Sequence, residues 1–83
     1  MGAPLGDLIA NNVRGERSRR RLRQADVAAR LGWAVSSYSD LENGKRRLAL
    51  EDVPAVCRAL GVTMADLVRG ADPEDLRALG LSL

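Results

Sequence analysis

Between Gln24 and Arg47 the chain gathers most of the side chains with which it could do chemistry. There are amides at Gln24 and Asn43, hydroxyls at Ser36, Ser37 and Ser39, a carboxylate at Asp40, and three consecutive cations at Lys45, Arg46 and Arg47. The set lacks what covalent catalysis requires. No histidine is present and Cys57 is the single thiol, so neither a nucleophile with its general base nor a set of zinc ligands can be assembled. A lone cysteine also excludes an internal disulfide framework. The chain is therefore expected to be no enzyme and to need neither metal nor cofactor. Hydroxyls, amides and cations at close spacing suit a different task, the non-covalent grip of a polyanion.

The charge distribution points the same way. Residues 14–47 hold ten Arg/Lys and four Asp/Glu, a net of +6, whereas residues 48–83 hold three basic and six acidic residues, a net of −3. One half of the chain is positive and the other negative. From charge alone the basic half reads either as a nucleic-acid-binding surface or as a solvated helix face. No apolar run approaches the roughly 20 residues that cross a bilayer, and Met1–Gly6 lacks the Ser or Thr of a myristoylation signal. The expectation is a soluble, untargeted cytoplasmic protein, associated with the nucleoid and not with a membrane.

What must position these groups is a small scaffold. Eighty-three residues make one domain that buries only roughly 60% of its unfolded surface. Gly32, Gly44, Gly61, Gly70 and Gly80 each follow a short segment of apolar periodicity, as helix-ending residues do. Leu5, Leu8, Ile9 and Val13 form the stripe of a first helix running from near Leu5 towards Arg20, which Gly15 threatens to interrupt. The pattern predicts a second helix over Gln24–Leu31 and a third over about Val35–Glu42, with Val27, Ala28, Leu31, Tyr38 and Leu41 inward. A fourth spans about Leu50–Leu60 with Val53, Val56, Cys57 and Leu60 on one face, and Pro54 within its first turn. Thr63 with Asp66 reads as the capping box of a fifth helix; Asp72, Pro73, Glu74 and Asp75 open a sixth. No segment alternates as a strand does. The fold class is all-α, a compact bundle of five or six short helices.

The stretch QADVAARLGWAVSSYSDLENGKRR, from Gln24 to Arg47, resembles a helix-turn-helix. Counted from Gln24 as first, alanine is fifth, glycine ninth, and apolar residues are fourth, eighth, tenth, fifteenth and eighteenth. A small Ala28 lets two helices cross closely while Gly32 turns the chain between them. The likeness is closer still to the phage-repressor and Cro (XRE) type: LRQADVAARLG at 22–32 and ENGKR at 42–46 match its LxQxxLAxxLG and ENGKR motifs, and ALGVTMADLV at 59–68 looks like its fifth helix. The resemblance implies a lambda-repressor-like DNA-binding domain over residues 1–70, followed by a short helix and tail, 71–83, that could serve dimerisation.

The resemblance also implies roles. Helix three would be the recognition helix in the major groove of a double-stranded operator, with Val35, Ser36, Ser37, Ser39 and Asp40 towards base edges. Gln24, Asn43, Lys45, Arg46 and Arg47 would hold phosphates, and Arg17 would pair with Glu42 as a structural ion pair. Three residues depart from the pattern: Ala34 in place of a Ser/Thr N-cap, Asp40 where a basic or amide group is common, and Arg21 at a turn position that often carries glycine. Cys57 reads as a small core hydrophobe and Trp33 as a packed plug of the turn. The expected function is a sequence-specific transcriptional regulator, a repressor acting as a homodimer; Leu76, Leu79, Leu81 and Leu83 leave an apolar surface that either closes the monomer core or makes the two-fold dimer contact. The alternatives are an antitoxin that neutralises a partner protein and autoregulates its operon, and a binder of structured RNA.

Overall fold

The computed structural model describes residues 4–81; Met1–Ala3, Ser82 and Leu83 lie outside them, so the expectation placed on Leu83 does too. The described residues form six α-helices and no strand: α1 (Leu5–Arg19), α2 (Gln24–Leu31), α3 (Val35–Glu42), α4 (Val53–Leu60), α5 (Met64–Leu67) and α6 (Pro73–Ala78). Helix boundaries fall where backbone chemistry puts them. Gly32 and Gly61 close α2 and α4 in the left-handed region, at φ 70° and 71°, where a β-carbon is strained. Thr63 caps α5 reciprocally with Asp66: the Asp66 N–H donates to Thr63 Oγ1, and the Thr63 N–H donates to the Asp66 carboxylate at 2.9 Å. The bond from the Thr63 backbone N–H does most to hold the Asp66 carboxyl below its usual range.

The core is a single cluster of Val13, Val27, Ala28, Tyr38, Leu41, Val56, Ala59, Leu60 and Leu67. Helices α1 to α5 all contribute, so the helices that carry the basic half rest on one packed base. Ala28 is fully enclosed where α2 meets α3, and its small side chain lets the two helices approach. Trp33 is half-buried and packs on the cluster at the turn between them. Cys57 flanks the core, and burial raises its thiol pKa, with the nearby Asp66 charge adding to the effect.

Helix α1 runs from Leu5 to Arg19 as expected, unbroken at Gly15, because Val13 in the core and Glu16 and Arg17 in ion pairs fix the flanking turns and outweigh a propensity penalty of roughly 1 kcal/mol. One expectation needs correction. The fourth helix does not start at Leu50: Leu50–Asp52 form a 3-10 turn and α4 begins at Val53. Pro54 has no N–H to bond back to Leu50 and its ring crowds that carbonyl, so the chain tightens before the α-helix starts. On α4 the inward face is Val56, Ala59 and Leu60, with Val53 only half-buried.

The polypeptide after α5 packs differently from the rest. Helix α6 buries none of its residues; Leu76 and Leu81 are half-buried and Leu79 is exposed. Ala65, Pro73, Leu76 and Leu81 line a shallow apolar groove rimmed by Arg69 and Arg77. Among the described residues, those of α6 and its flanks do not close the core of the monomer.

Candidate nucleic-acid interface

Helix α3 has one buried and one presented face. Tyr38, Leu41 and Glu42 are buried, while Val35 and Ser36 are exposed and Ser37, Ser39 and Asp40 lie along the outer side. Ser37, Ser39 and Asp40 are half-buried there. Val35 leaves 47% of its surface in solvent. The N-cap residue is Ala34, and no side chain caps the helix. After the C-cap Asn43 the chain reverses at Gly44, and the Lys45 and Arg46 N–H groups both donate to the Asp40 carbonyl, at 2.9 and 3.1 Å. Asn43, Lys45, Arg46 and Arg47 are all exposed beside the outer face of α3.

The position of α3 is set by an ion pair beneath it. Arg17 of α1 donates from Nε to Glu42 Oε2 at 2.6 Å and from Nη2 to Oε1 at 3.0 Å, and its Nη1 donates to the Leu22 carbonyl at 2.8 Å. Only 1% of the Glu42 side chain and 17% of that of Arg17 remain accessible. Burial pushes the Glu42 carboxyl up, but the hydrogen bonds from Arg17 and Gln24 and the adjacent Tyr38 hydroxyl outweigh it and hold the group below the usual glutamate range. The bond to Glu42 also raises the Arg17 pKa further. Tyr38 contributes a buried hydroxyl with no partner in bonding geometry, and burial, reinforced by the Glu42 charge, drives its pKa upward.

Gln24 sits differently from the sequence expectation of a free amide at a helix start. Its Nε2 donates to Glu42 Oε1 at 3.0 Å, so the amide belongs to the ion-pair network. What α2 leaves free at its start is backbone: the N–H groups of Gln24 and Ala25 lie in the first turn, without intrahelical acceptors. Arg46 is also engaged. Its guanidinium lies 4.1 Å from the centre of the Trp33 ring and 4.0 Å from Asp52, a cation–π contact worth about 0.5–1 kcal/mol at an exposed site. Lys45 has no ion-pair partner among the described residues. Arg47 leans over the first turn of α1, where a β-carbon on Gly6 would come 3.7 Å from its Nη1.

The sequence profile of the helix-turn-helix domain matches residues 9–70. This chain belongs to the helix-turn-helix domain family. Within it, α2 and α3 are the two helices of the motif, joined across Gly32 with a bond from the Trp33 N–H to the Ala28 carbonyl at 2.9 Å. The domain is 31% identical over 64 residues to the HTH-type transcriptional regulator DdrOP3 of Deinococcus deserti, an alignment covering 77% of this chain and 50% of that protein. The chain thus spans half the length of that regulator. Its fold is similar to that of the clp gene regulator ClgR from C. glutamicum, with a TM-score of 0.74 at 24% identity over 80% of this chain and 86% of that one. A hypothetical transcription factor, NHTF from Neisseria, superposes with a TM-score of 0.73 at 25% identity over 92% of this chain and 85% of its own.

Several residues that hold this helix-turn-helix domain together escaped the sequence reading. Arg14 donates from Nη2 to the Glu42 carbonyl at 3.1 Å and to Asn43 Oδ1 at 3.2 Å, placing a cation at the negative end of α3. Asn12 ties α1 to the end of α5 by donating to the Leu67 and Arg69 carbonyls at 2.8 and 3.0 Å. Arg30 donates to the Ala59 carbonyl at 2.9 Å, and Glu16, 5% exposed, accepts from Arg19 and Arg20. The spacing of Arg14 three residues before Arg17 is the one available signal, since it puts both guanidiniums on the same side of α1.

Proposed function

We propose that the chain is a sequence-specific double-stranded DNA-binding transcriptional regulator whose α3 enters the major groove. The observation that carries this reading is the outer face of α3. It offers a methyl-bearing Val35, three hydroxyls and one carboxylate, small groups that can approach base edges without clash, while its inner face is anchored through Glu42. The cations around it supply the sequence-independent part of the affinity. Lys45 and Arg47 are exposed and would reach phosphates, Arg47 by swinging away from α1, and Arg46 would do so from its seat on Trp33. The backbone N–H groups at the start of α2 hold a further phosphate, with Gln24 acting through Glu42 to fix that helix start.

The apolar surface beside α6, with Leu79 44% exposed, supports assembly of two copies through a two-fold contact. A homodimer of this kind presents two α3 helices to half-sites about 10 bp apart from centre to centre. Bound over a promoter, it represses by occupying the DNA that polymerase needs. Selection of bound sites from random duplex DNA tests the reading: a recovered motif with two related half-sites at that spacing supports it, and recovery of unselected sequences overturns it.

A further inference from the structure

The basic half of the chain, residues 14–47, holds four acidic side chains, and arginine neutralises three of them. Glu16 pairs with Arg19 and Arg20, Asp26 with Arg23, and Glu42 with Arg17. Asp40 is the fourth. Its carboxylate has no hydrogen bond and no ion pair among the described residues, although Lys45, Arg46 and Arg47 follow within seven residues. Arg46 turns instead to Trp33 and Asp52, and the loop bonds to Asp40 through the Lys45 and Arg46 N–H groups on its backbone carbonyl. The helical repeat sets Asp40 on one ridge with Ser36, four residues before it, opposite the face that buries Tyr38, Leu41 and Glu42. Its neighbour Ser39 accepts a hydrogen bond from Asn43 Nδ2 at 3.3 Å, at the end of a chain of bonds that begins with Arg14. Asp40 stands beside that chain and outside it.

We propose, resting on the groove-facing role given to α3 above, that Asp40 is a specificity-determining residue: it accepts from the exposed amine of one cytosine and lowers affinity for duplexes that lack it. An ionised carboxylate has lone pairs and no proton to give. On the major-groove edge guanine offers N7 and O6 and thymine O4, all acceptors that repel it. Adenine sets N7 beside its amine, whereas cytosine shows an amine and no acceptor of its own. Every duplex also brings phosphates to this face, and a carboxylate with no cation paired to it repels them. A matching cytosine returns a charge-assisted hydrogen bond, one of the stronger kind. Asp40 thus costs affinity on every sequence and recovers it at one base, which is discrimination by repulsion of the wrong partner. The hydroxyls of Ser36 and Ser39 can both donate and accept, so they carry no such penalty.

The full chain and its Asp40→Ala and Asp40→Asn variants are compared by selection of bound sites from random duplex DNA, and by titration of the selected site and of an unselected duplex at low salt. Circular dichroism confirms folding, and the carboxylate has no partner among the described residues whose loss would unfold the chain. Wild type should require a C·G pair at one position of each half-site, and changing that pair should weaken it about tenfold or more, as for one hydrogen bond to a charged group. Asp40→Ala should level that position and bind the unselected duplex about two- to fivefold more tightly than wild type, because a repelling charge is gone. Loss of a merely structural residue would not tighten non-specific binding. Asp40→Asn keeps the shape without the charge and should tighten the unselected duplex in the same way. A synthetic site carrying pyrimidin-2-one in place of that cytosine lacks the amine; it should weaken wild type about tenfold and Asp40→Ala hardly at all. If Asp40→Ala changes no position of a motif that wild type still selects, if it levels a position other than a C·G pair, or if loss of the amine leaves wild-type binding intact, the inference is overturned and base reading by the rest of α3 stands. Weaker binding of the unselected duplex by Asp40→Ala overturns it as well, since the carboxylate then does not face phosphates. Failure of wild type to select any motif overturns the functional reading itself.

Discussion

Replacing Glu42 with alanine removes the acceptor that joins α1, α2 and α3. The carboxylate takes three hydrogen bonds, two from Arg17 and one from Gln24, and its loss leaves a guanidinium that is only 17% accessible with the Leu22 carbonyl as its remaining partner. Removing one member of a buried pair costs about 3–5 kcal/mol, and because Arg17 retains a path to solvent the lower part of that range applies. A chain of this size has about 4–12 kcal/mol in total. A loss of about 3 kcal/mol lowers the melting temperature by roughly 12–24 °C. Thermal and urea denaturation followed by far-UV circular dichroism measure it. The double variant Arg17→Met/Glu42→Leu should recover much of the loss, since apolar groups of similar volume remove both desolvated charges together. A melting temperature for Glu42→Ala within a few degrees of wild type would show that the pair does not clamp the helices, and the argument for a rigidly presented α3 would fall with it.

Three further outcomes follow from other parts of the molecule. Ala34→Ser should supply the missing side-chain cap of α3 and stabilise the domain by about 1 kcal/mol, read as a rise of roughly 4–8 °C in melting temperature. Glu42, Asp26 and Asp66 all have carboxyl pKa values below their ordinary ones, so the unfolded chain binds protons first on acidification. Stability should therefore be level above about pH 5, fall as pH drops below the ordinary glutamate value of 4.5, and fall less steeply in Glu42→Ala, as melts from pH 7 to about 3 would show. Leu79→Glu should leave the fold intact and shift the protein towards monomer in sedimentation at micromolar concentration; a monomeric wild type would rule out the α6 contact.

How far the sequence foretold the molecule depends on which physical rule governed each part. Helices α2 and α3 were legible to the residue because Gly32 needs the left-handed region and because apolar periodicity marks the side that packs. The capping box at Thr63 was legible for the same local reason. Leu50–Asp52 was not, since a 3-10 turn and the first turn of an α-helix share a pattern and only the fit of Pro54 separates them. At the site, the ion pair between Arg17 and Glu42 was suggested by resemblance, but the capture of Gln24 by Glu42, the Arg46–Trp33 contact and the Arg14–Asn43–Ser39 chain depend on side-chain directions across helices. Spacing within one helix carries only part of that information: it brings Ser39 and Asn43 onto one side of α3 and Arg14 and Arg17 onto one side of α1, but not one helix's side chains to another's. Arg21 shows the reverse case: a residue read as a departure from pattern does occupy the left-handed region, at φ 55°, where glycine would sit without strain.

The central claim is that α3 reads bases while the loop after it holds phosphates, and one measurement separates the two. Binding constants of wild type, Ser36→Ala, Lys45→Ala and Arg47→Ala are determined on the selected site and its single-position variants across a salt titration. Truncating Lys45 or Arg47 should weaken every duplex alike and reduce the log–log salt slope by about one for every phosphate no longer held. Removing the Ser36 hydroxyl should leave the slope unchanged and alter discrimination at one position of each half-site by about 1–3 kcal/mol. If the Ser36 variant discriminates as wild type does and affinity simply follows net charge, α3 does not read bases.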